Sequence, residues 1–344
     1  MSYTVELDHT KTLDHYVDLW QLERQKLDQG QEILSCETCW KKEKQGLSSY
    51  RISENAVDII DIFTSNLCNQ MCSYCSPKYS STWQESIGKD GEFEYISSTA
   101  KKNQSVINIT NHHQDHWIQE INQYISRQPK DSVELNLLGG EPLMQIHSLQ
   151  RLLEMNTSQV RRLIIQTNLN PPSQRFLRWI LENFPGEKLL FNVSIDSTPE
   201  YNHVPRAGFR QDVFMSNLQL LTDHDVVCRF GSVISVTSIF DIANFCKFLD
   251  QTGYSTSFDQ LNNPDCLDPI YLPWEFKQRI LNTRVELPNL VKEILTTQTK
   301  SVDLKLFEQY NYLKQYFGRT KIDPTATPNA LFNEYWTWLS NKGF

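Results

Sequence analysis

No stretch of this 344-residue chain stays apolar for the ~20 residues that a membrane-spanning helix requires. The opening Met1-Ser2-Tyr3-Thr4-Val5-Glu6-Leu7 has none of the features of a signal peptide. No basic run occurs and the formal net charge is −8, so neither nucleic acid nor a membrane is an expected partner. Internal repeats and low-complexity tracts are absent as well, which excludes solenoids and disordered tails. No cysteine precedes Cys36, a gap that matters below. These absences predict a cytoplasmic, reduced protein whose 8 cysteines remain thiols or ligands. In that compartment a sequon such as Asn192-Val193-Ser194 carries no meaning.

The length suits about two domains, or one α/β barrel with additions. A hydrophobic fraction of 39% is lean, and an aromatic share of 11%, with 8 Trp, helps to supply the core. Residues 1–35 place Leu13, Tyr16, Val17, Trp20 and Leu27 at helical spacing and are expected to be mostly helical.

Three cysteines stand at C-x3-C-x2-C spacing in Asn66-Leu67-Cys68-Asn69-Gln70-Met71-Cys72-Ser73-Tyr74-Cys75. They lie on a short loop directly after the apolar run Ile59-Ile60-Asp61-Ile62-Phe63. Thiols this close in a reduced chain are more often metal ligands than disulfide halves. A cubane iron–sulfur cluster is held by cysteine thiolates, normally four, so three from one loop leave one iron open to an outside ligand. The plainer alternatives are a zinc knuckle or three unrelated core cysteines.

Downstream, short β-like runs alternate with helical patterns, which predicts βα units and a parallel sheet. After a first strand at Val57–Phe63, read as buried on both faces, strands are expected at Val133–Leu138, Leu163–Asn168, Leu189–Ser197, Val226–Val236 and Ser255–Leu261. The second ends in Gly139-Gly140-Glu141-Pro142, where two glycines allow close backbone approach and offer unobstructed N–H groups. Residues 84–113 are polar and read as an insertion or mobile loop near the cysteines. His112, His113, Asp115 and His116 invite a metal reading. The preferred reading is the polar start of an amphipathic helix with Trp117, Ile118, Ile121 and Tyr124 inward. Residues 275–344 are helical with a proline-bearing break at 323–328, and the last helix carries an aromatic stripe.

The cysteine loop, with Tyr74 before its third cysteine, resembles that of the radical S-adenosylmethionine (radical SAM) enzymes. Several later motifs agree, in the order the family uses. Gly139-Gly140-Glu141-Pro142 is similar to the element that binds the SAM amino group, and Thr167-Asn168 matches the end of the third strand. Ser194-Ile195-Asp196 resembles a strand ending near the SAM ribose and carboxylate, and Arg206-Ala207-Gly208 an element whose arginine contacts SAM. A guanidinium suits a bidentate clamp on a carboxylate. Ser80-Ser81-Thr82-Trp83, and Cys36-Glu37-Thr38-Cys39-Trp40 through Ser49-Tyr50-Arg51, resemble twitch domain-containing radical SAM proteins. The likeness covers roughly residues 36–275.

The resemblance implies an α/β fold: a partial (β/α)6 TIM-like barrel over 56–262, an N-terminal helical segment with a reduced twitch-like element over 1–55, and a C-terminal helical extension over 263–344. It implies a 4Fe–4S cluster on Cys68, Cys72 and Cys75. It also implies SAM against Tyr74, Gly139, Gly140, Glu141, Pro142, Thr167, Asn168, Ser194, Asp196 and Arg206. Reductive cleavage of SAM would supply a 5′-deoxyadenosyl radical that takes a hydrogen atom from a peptide or protein substrate. A flavodoxin or ferredoxin-type donor would supply the electron. A small metabolite or nucleotide as substrate stays open, as does a non-catalytic iron–sulfur scaffold. In the relatives the Cys36/Cys39 pair belongs to an auxiliary cluster whose other cysteines lie N-terminal, and this chain has none there. Either that cluster is lost, or the pair recruits Cys228, Cys246 or Cys266. Those three are otherwise buried structural thiols, or a hydrogen-atom source at the barrel mouth.

Overall fold

The fold is seen in a computed structural model that describes residues 13–33, 37–44, 59–63, 65–94, 111–155, 158–261, 263–299 and 302–344. Eight strands occur among them: β1 (Ile59–Phe63), β2 (Met71–Cys72), β3 (Val133–Leu138), β4 (Val160–Thr167), β5 (Leu189–Ser194), β6 (Arg206–Ala207), β7 (Val227–Ile234) and β8 (Ser255–Gln260). Six of these form one mostly parallel sheet in the order β1-β3-β4-β5-β7-β8, with β1 and β8 at its edges, while β2 and β6 pair separately. The fold class is therefore α/β, and each of the six expected strands is present.

Contacts along the chain define two compact units. The first comprises Met1–Thr64, Ile109–Leu137 and Ile146–Ile164. Its helices are α1 (Leu13–Asp28), α2 (Glu37–Lys44), α4 (Asn111–Ser126) and α5 (Ile146–Glu154), with α3 (Ser81–Asp90) belonging to the second unit. Helix α1 falls within the stretch 1–35 expected to be mostly helical, of which residues 1–12 and 34–35 lie outside the described set, and it lies on α4. The Leu13 N–H donates to Glu120 Oε2 at 3.0 Å, and Tyr16 meets the Trp117 ring edge-on at 6.1 Å. Of the residues expected to face inward from helix α4, Ile118 is buried and Trp117, Ile121 and Tyr124 are half-buried, with Ile125 buried beside them. Among the described residues no three His, Cys, Asp or Glu side chains are placed to hold one metal ion. The side chains of His112, His113 and Asp115 lie outside the described set, as do Cys36, the Cys39 side chain and Arg51.

The second unit comprises Ser65–Asn108, Leu138–Gln145 and Ile165–Phe344. Residues 84–90, expected as loop, are helical: the Ser80 hydroxyl caps α3 by accepting the Trp83 N–H, and Trp83 is buried against Phe93. Residues 95–110 of that stretch lie outside the described set. Helices α6 (Arg175–Asn183), α7 (Gln211–Asp223) and α8 (Ile242–Thr252) follow β4, β5 and β7. Helices α9 (Trp274–Leu281), α10 (Asn289–Thr296), α11 (Asp303–Thr320) and α12 (Ala330–Ser340) make the expected helical C-terminal region. The aromatic stripe of α12 is core, with Phe332, Tyr335 and Leu339 buried and Tyr335 stacked on Phe240.

Strands β5, β7 and β8 run parallel, with Asn192 level with Arg229, Arg229 with Ser255, Ser194 with Gly231, and Gly231 with Ser257. One face carries Phe191, Val193, Cys228, Phe230, Ile234 and Phe258 with Ser232, Thr256 and Gln260 among them, a mainly apolar set of the kind a helix-covered parallel sheet buries. The other face carries Asn192, Ser194, Arg229, Ser255, Ser257 and Asp259, with Leu190 and Val233 among its apolar members. Parallel sheets are usually apolar on both faces. This one is not.

Candidate active site

Every residue of the site belongs to the second unit. Its centre is the loop from Ser65 to Ser80, and most of its carbonyls accept hydrogen bonds, several of them from outside the loop. The Thr82 hydroxyl donates to Cys68 O at 2.7 Å, the Ser80 hydroxyl to Gln70 O at 2.7 Å, and the Trp83 indole N–H to Cys72 O at 2.9 Å. From α11, the Tyr312 hydroxyl donates to Ser73 O at 2.6 Å, and the Tyr316 hydroxyl lies 3.1 Å from Met71 O. A loop with its backbone accounted for in this way presents its side chains from fixed positions.

The loop is also paired. Met71 and Cys72 in β2 are antiparallel partners of Ala207 and Arg206 in β6. Gly208, at φ +92°, lets β6 come this near, because a Cβ there would stand 2.5 Å from Asn69 O. The cysteine loop was expected as plain loop, and this two-residue pairing had no signal in the sequence.

Cys68, Cys72 and Cys75 are free thiols. Two sulfurs have N–H groups turned toward them: Asn168 Nδ2 lies 3.9 Å from Cys68 Sγ, and Arg206 Nη1 lies 3.7 Å from Cys72 Sγ. Burial pushes all three thiols up, Cys75 to about 12, with the neighbouring Cys72 adding to the rise. Thiolates crowded in a buried loop need cationic metal centres to become stable.

Gly139-Gly140-Glu141-Pro142 straps across the loop. The Gly140 N–H donates to Ser65 O at 3.0 Å and the Glu141 N–H to Leu67 O at 2.7 Å. A Cβ at Gly140 would meet Leu67 O at 2.4 Å and Asn66 O at 2.6 Å. The expectation that this strap offers its N–H groups to a ligand is corrected at Gly140 and Glu141, since both are spent on the cysteine loop. The close approach that the glycine permits is to backbone. Glu141 is fully buried: its carboxylate accepts from the Leu143 N–H, the Thr167 hydroxyl and the Asn168 N–H at 2.9, 2.7 and 2.7 Å. Burial pushes its pKa up to about 7 against those three donors. Pro142 opens a 3-10 turn behind it. Glu141 and Thr167 thus brace the strap to the end of β4, and Asn168 reaches from there to Cys68.

Beyond β5, Asp196 and Arg206 form a buried pair, 0% and 7% exposed. Arg206 Nε donates to Asp196 Oδ2 at 2.8 Å and Nη2 to Oδ1 at 3.1 Å. The Tyr74 hydroxyl donates to Asp196 Oδ2 at 2.7 Å and receives Arg206 Nη2 at 2.5 Å. Asp196 Oδ1 also accepts the Val233 N–H at 2.9 Å. Ser194 sits on the polar face of β5, and its hydroxyl has no hydrogen-bond partner among the described residues.

The structure therefore gathers these residues into two bonded groups, Cys68 with Asn168, Glu141 and Thr167, and Cys72 with Arg206, Asp196 and Tyr74. It does not bring Cys228, Cys246 or Cys266 together with these or with one another as a metal-holding group of described residues. Cys228 lies on the apolar face of β7, Cys246 is buried in α8, and Cys266 is buried in a 3-10 turn. Burial raises all three, Cys228 to about 12 and Cys246 to about 11. Sequence reasoning missed Tyr312 and Tyr316, whose i, i+4 spacing on α11 reads as core. It also missed Asn69, whose amide ties the loop to the turn after β4 with Nδ2 on Asn170 O at 2.7 Å, and Asn170, whose own amide donates to Arg210 O at 2.6 Å.

The donor set suits an iron–sulfur cluster: three thiols come from one loop, and two of them have N–H groups turned toward sulfur, the outer contacts such clusters use.

No family model matches the chain, and no curated protein does. Among solved structures it is similar to hexahistidine-tagged anSMEcpe with bound AdoMet at 16% identity and a TM-score of 0.42, over 64% of this chain and 52% of that one. The chain thus spans about half the length of that protein. It is similar to Streptococcus suis SuiB bound to precursor peptide SuiA at 14% identity and a TM-score of 0.41, over 85% and 63% of the two chains. For SuiB bound to S-adenosylmethionine the values are 12% and 0.37, over 96% and 85%. Likenesses at this level carry no argument of their own, and the functional reading rests on the site.

Proposed function

We propose that this chain is a radical SAM enzyme acting on a peptide or protein substrate. One observation carries the reading. A single loop, most of whose carbonyls accept hydrogen bonds, presents three unpaired thiols, two of them with N–H groups turned to sulfur. Cys68, Cys72 and Cys75 would hold a 4Fe–4S cluster. When bound, that cluster with SAM supplies one-electron cleavage of the sulfonium and a radical that takes a hydrogen atom from substrate.

The chain's own residues orient and enclose. The N–H groups of Gly140 and Glu141 are committed to the loop, and the Glu141 and Pro142 carbonyls accept from Met144 and Gln145, so the strap's acceptors for an ammonium group are the Gly139 and Gly140 carbonyls. Glu141 and Thr167 hold the strap, while Ser194 offers a free hydroxyl at the end of β5. Substrate would lie over the polar face of β5, β7 and β8. At its centre Gly231 leaves the sheet floor bare, a Cβ there meeting only Ser257 Oγ at 3.9 Å. Around it Arg229 and Asp259 have no ion-pair partner among the described residues, and Asn192, Ser194, Ser255 and Ser257 supply amide and hydroxyl groups. A surface rich in neutral donors and acceptors with separated charges of both signs suits an extended peptide. This reading keeps the partial (β/α)6 barrel over 56–262, flanked by 1–55 and 263–344. It also keeps a flavodoxin or ferredoxin-type donor, a cytoplasmic setting and a metal-free Cys36/Cys39 pair. Among the described residues no helix is long and apolar enough to cross a membrane.

The test is iron and sulfide per chain after anaerobic reconstitution, with SAM cleavage to 5′-deoxyadenosine under dithionite, for wild type and Cys72→Ala. About four irons, lost in the variant together with cleavage, is the expected result. Full cleavage by Cys72→Ala would sink the reading. Iron well beyond four, surviving in the variant, would instead mean that Cys36 and Cys39 belong to a second cluster.

A further inference from the structure

We propose that Arg206 sets the reduction potential of the cluster through the Cys72 sulfur, and does not grip the carboxylate of SAM. The inference rests on the cluster reading above. It begins with a count of donors. A guanidinium has five N–H bonds in a planar fork, and a bidentate carboxylate needs two parallel ones. The Nε/Nη2 edge is closed by Asp196, at 2.8 and 3.1 Å. The Tyr74 hydroxyl, 2.5 Å from Nη2 and 2.7 Å from Asp196 Oδ2, lies over that same edge. On the remaining edge Nη1 faces Cys72 Sγ at 3.7 Å, so a second carboxylate would have to share that edge with the sulfur. At 7% exposure the group has little access to one.

The placement on Cys72 is built in. Arg206 and Cys72 are register partners in the β2–β6 pair. The pair is held by Ser73 N–H on Pro205 O at 2.8 Å and by Gly208 packed under Asn69 O. It is also held by the Tyr316 hydroxyl, which accepts the Ala207 N–H at 3.2 Å and lies 3.1 Å from Val204 O. Arginine therefore presents a cationic N–H to one sulfur ligand, with Asp196 on the opposite edge fixing its plane.

The consequence is electrostatic. Reduction adds one negative charge to the cluster. A hydrogen bond to a ligating sulfur, and a positive charge nearer than its counter-ion, favour the reduced form and raise the potential. Removing arginine alone would leave the Asp196 carboxylate buried and unpaired, with a large folding penalty. The informative variant is therefore Asp196→Asn with Arg206→Gln, which removes both charges. Arg206→Lys is read beside it. It keeps a cation for Asp196, but a single ammonium cannot also reach the sulfur in the fork's geometry.

The experiment is an EPR-monitored reductive titration of each reconstituted protein without SAM, followed by SAM binding read from the change in the same EPR signal. Both variants should keep wild-type iron content, show a midpoint shifted to more negative potential, and bind SAM within about threefold of wild type. An unchanged midpoint in either iron-loaded variant overturns the inference. So does SAM affinity lowered tenfold or more in Arg206→Lys, which keeps Asp196, because it would make Arg206 the carboxylate clamp. Failure of the wild type itself to take up a cluster would overturn the cluster reading, a result distinct from either of these.

Discussion

Tyr316 and Ala207 are 109 residues apart in sequence, and the hydroxyl of the first accepts the N–H of the second at 3.2 Å. The same hydroxyl lies 3.1 Å from Met71 O and from Val204 O, so one group on α11 bridges both strands of the β2–β6 pair. The C-terminal helices thus form part of the mount for the cysteine loop.

Tyr316→Phe removes that hydroxyl and leaves a buried N–H and carbonyls short of a partner. A loss of about 1–3 kcal/mol in unfolding free energy is expected. Iron should also transfer faster to a chelator from the reconstituted variant. Denaturant unfolding and chelation kinetics check both, and equal rates for the two proteins would show that α11 does not hold the loop.

Gly140→Ala places a Cβ against two backbone oxygens that cannot swing aside, Leu67 O at 2.4 Å and Asn66 O at 2.6 Å. Strain of this kind costs on the order of 1–3 kcal/mol or displaces the loop. Iron content after reconstitution should fall well below wild type. A variant that loads fully and unfolds at the wild-type denaturant concentration would contradict the close packing of strap on loop.

Glu141 gives a pH signature. Burial raises its folded-state pKa to about 7, above that of an exposed glutamate. The folded chain therefore binds this proton more tightly than the unfolded chain. The associated stability is present below the ordinary glutamate range and is lost as pH rises through about 7. For the cluster-free chain, unfolding free energies at pH 5 and pH 8 should differ more in wild type than in Glu141→Gln, by on the order of 2–3 kcal/mol. Parallel pH profiles would show that the three donors around the carboxylate, and not burial, set its charge.

Local pattern was enough for the sheet. The run Val133–Leu138 is β3 to the residue, and β5, β7 and β8 fall within the expected segments. Strand β4 begins earlier than expected, at Val160, because Arg161 and Arg162 interrupt the apolar run. Arg161 is bonded to the buried Glu134 at 2.6 Å, a partner that periodicity does not reveal. The expected 84–113 loop failed at its start for a similar reason, since the signal for α3 was a serine cap and not an apolar stripe.

At the site, the sequence by itself singled out residues that the structure then draws together: cysteine spacing and the residues at strand ends are local features, and local features survive in one dimension. Tertiary structure decided where their hydrogen bonds go. Two-residue strands have no period to read, so the Cys72–Arg206 pairing was invisible. The glycines of the strap looked free until the Gly140 N–H was found on Ser65 O. Arg206 looked available until Asp196 and Tyr74 had taken most of its fork. A donor has one partner at a time, and which acceptor wins is settled only when the chain has closed on itself.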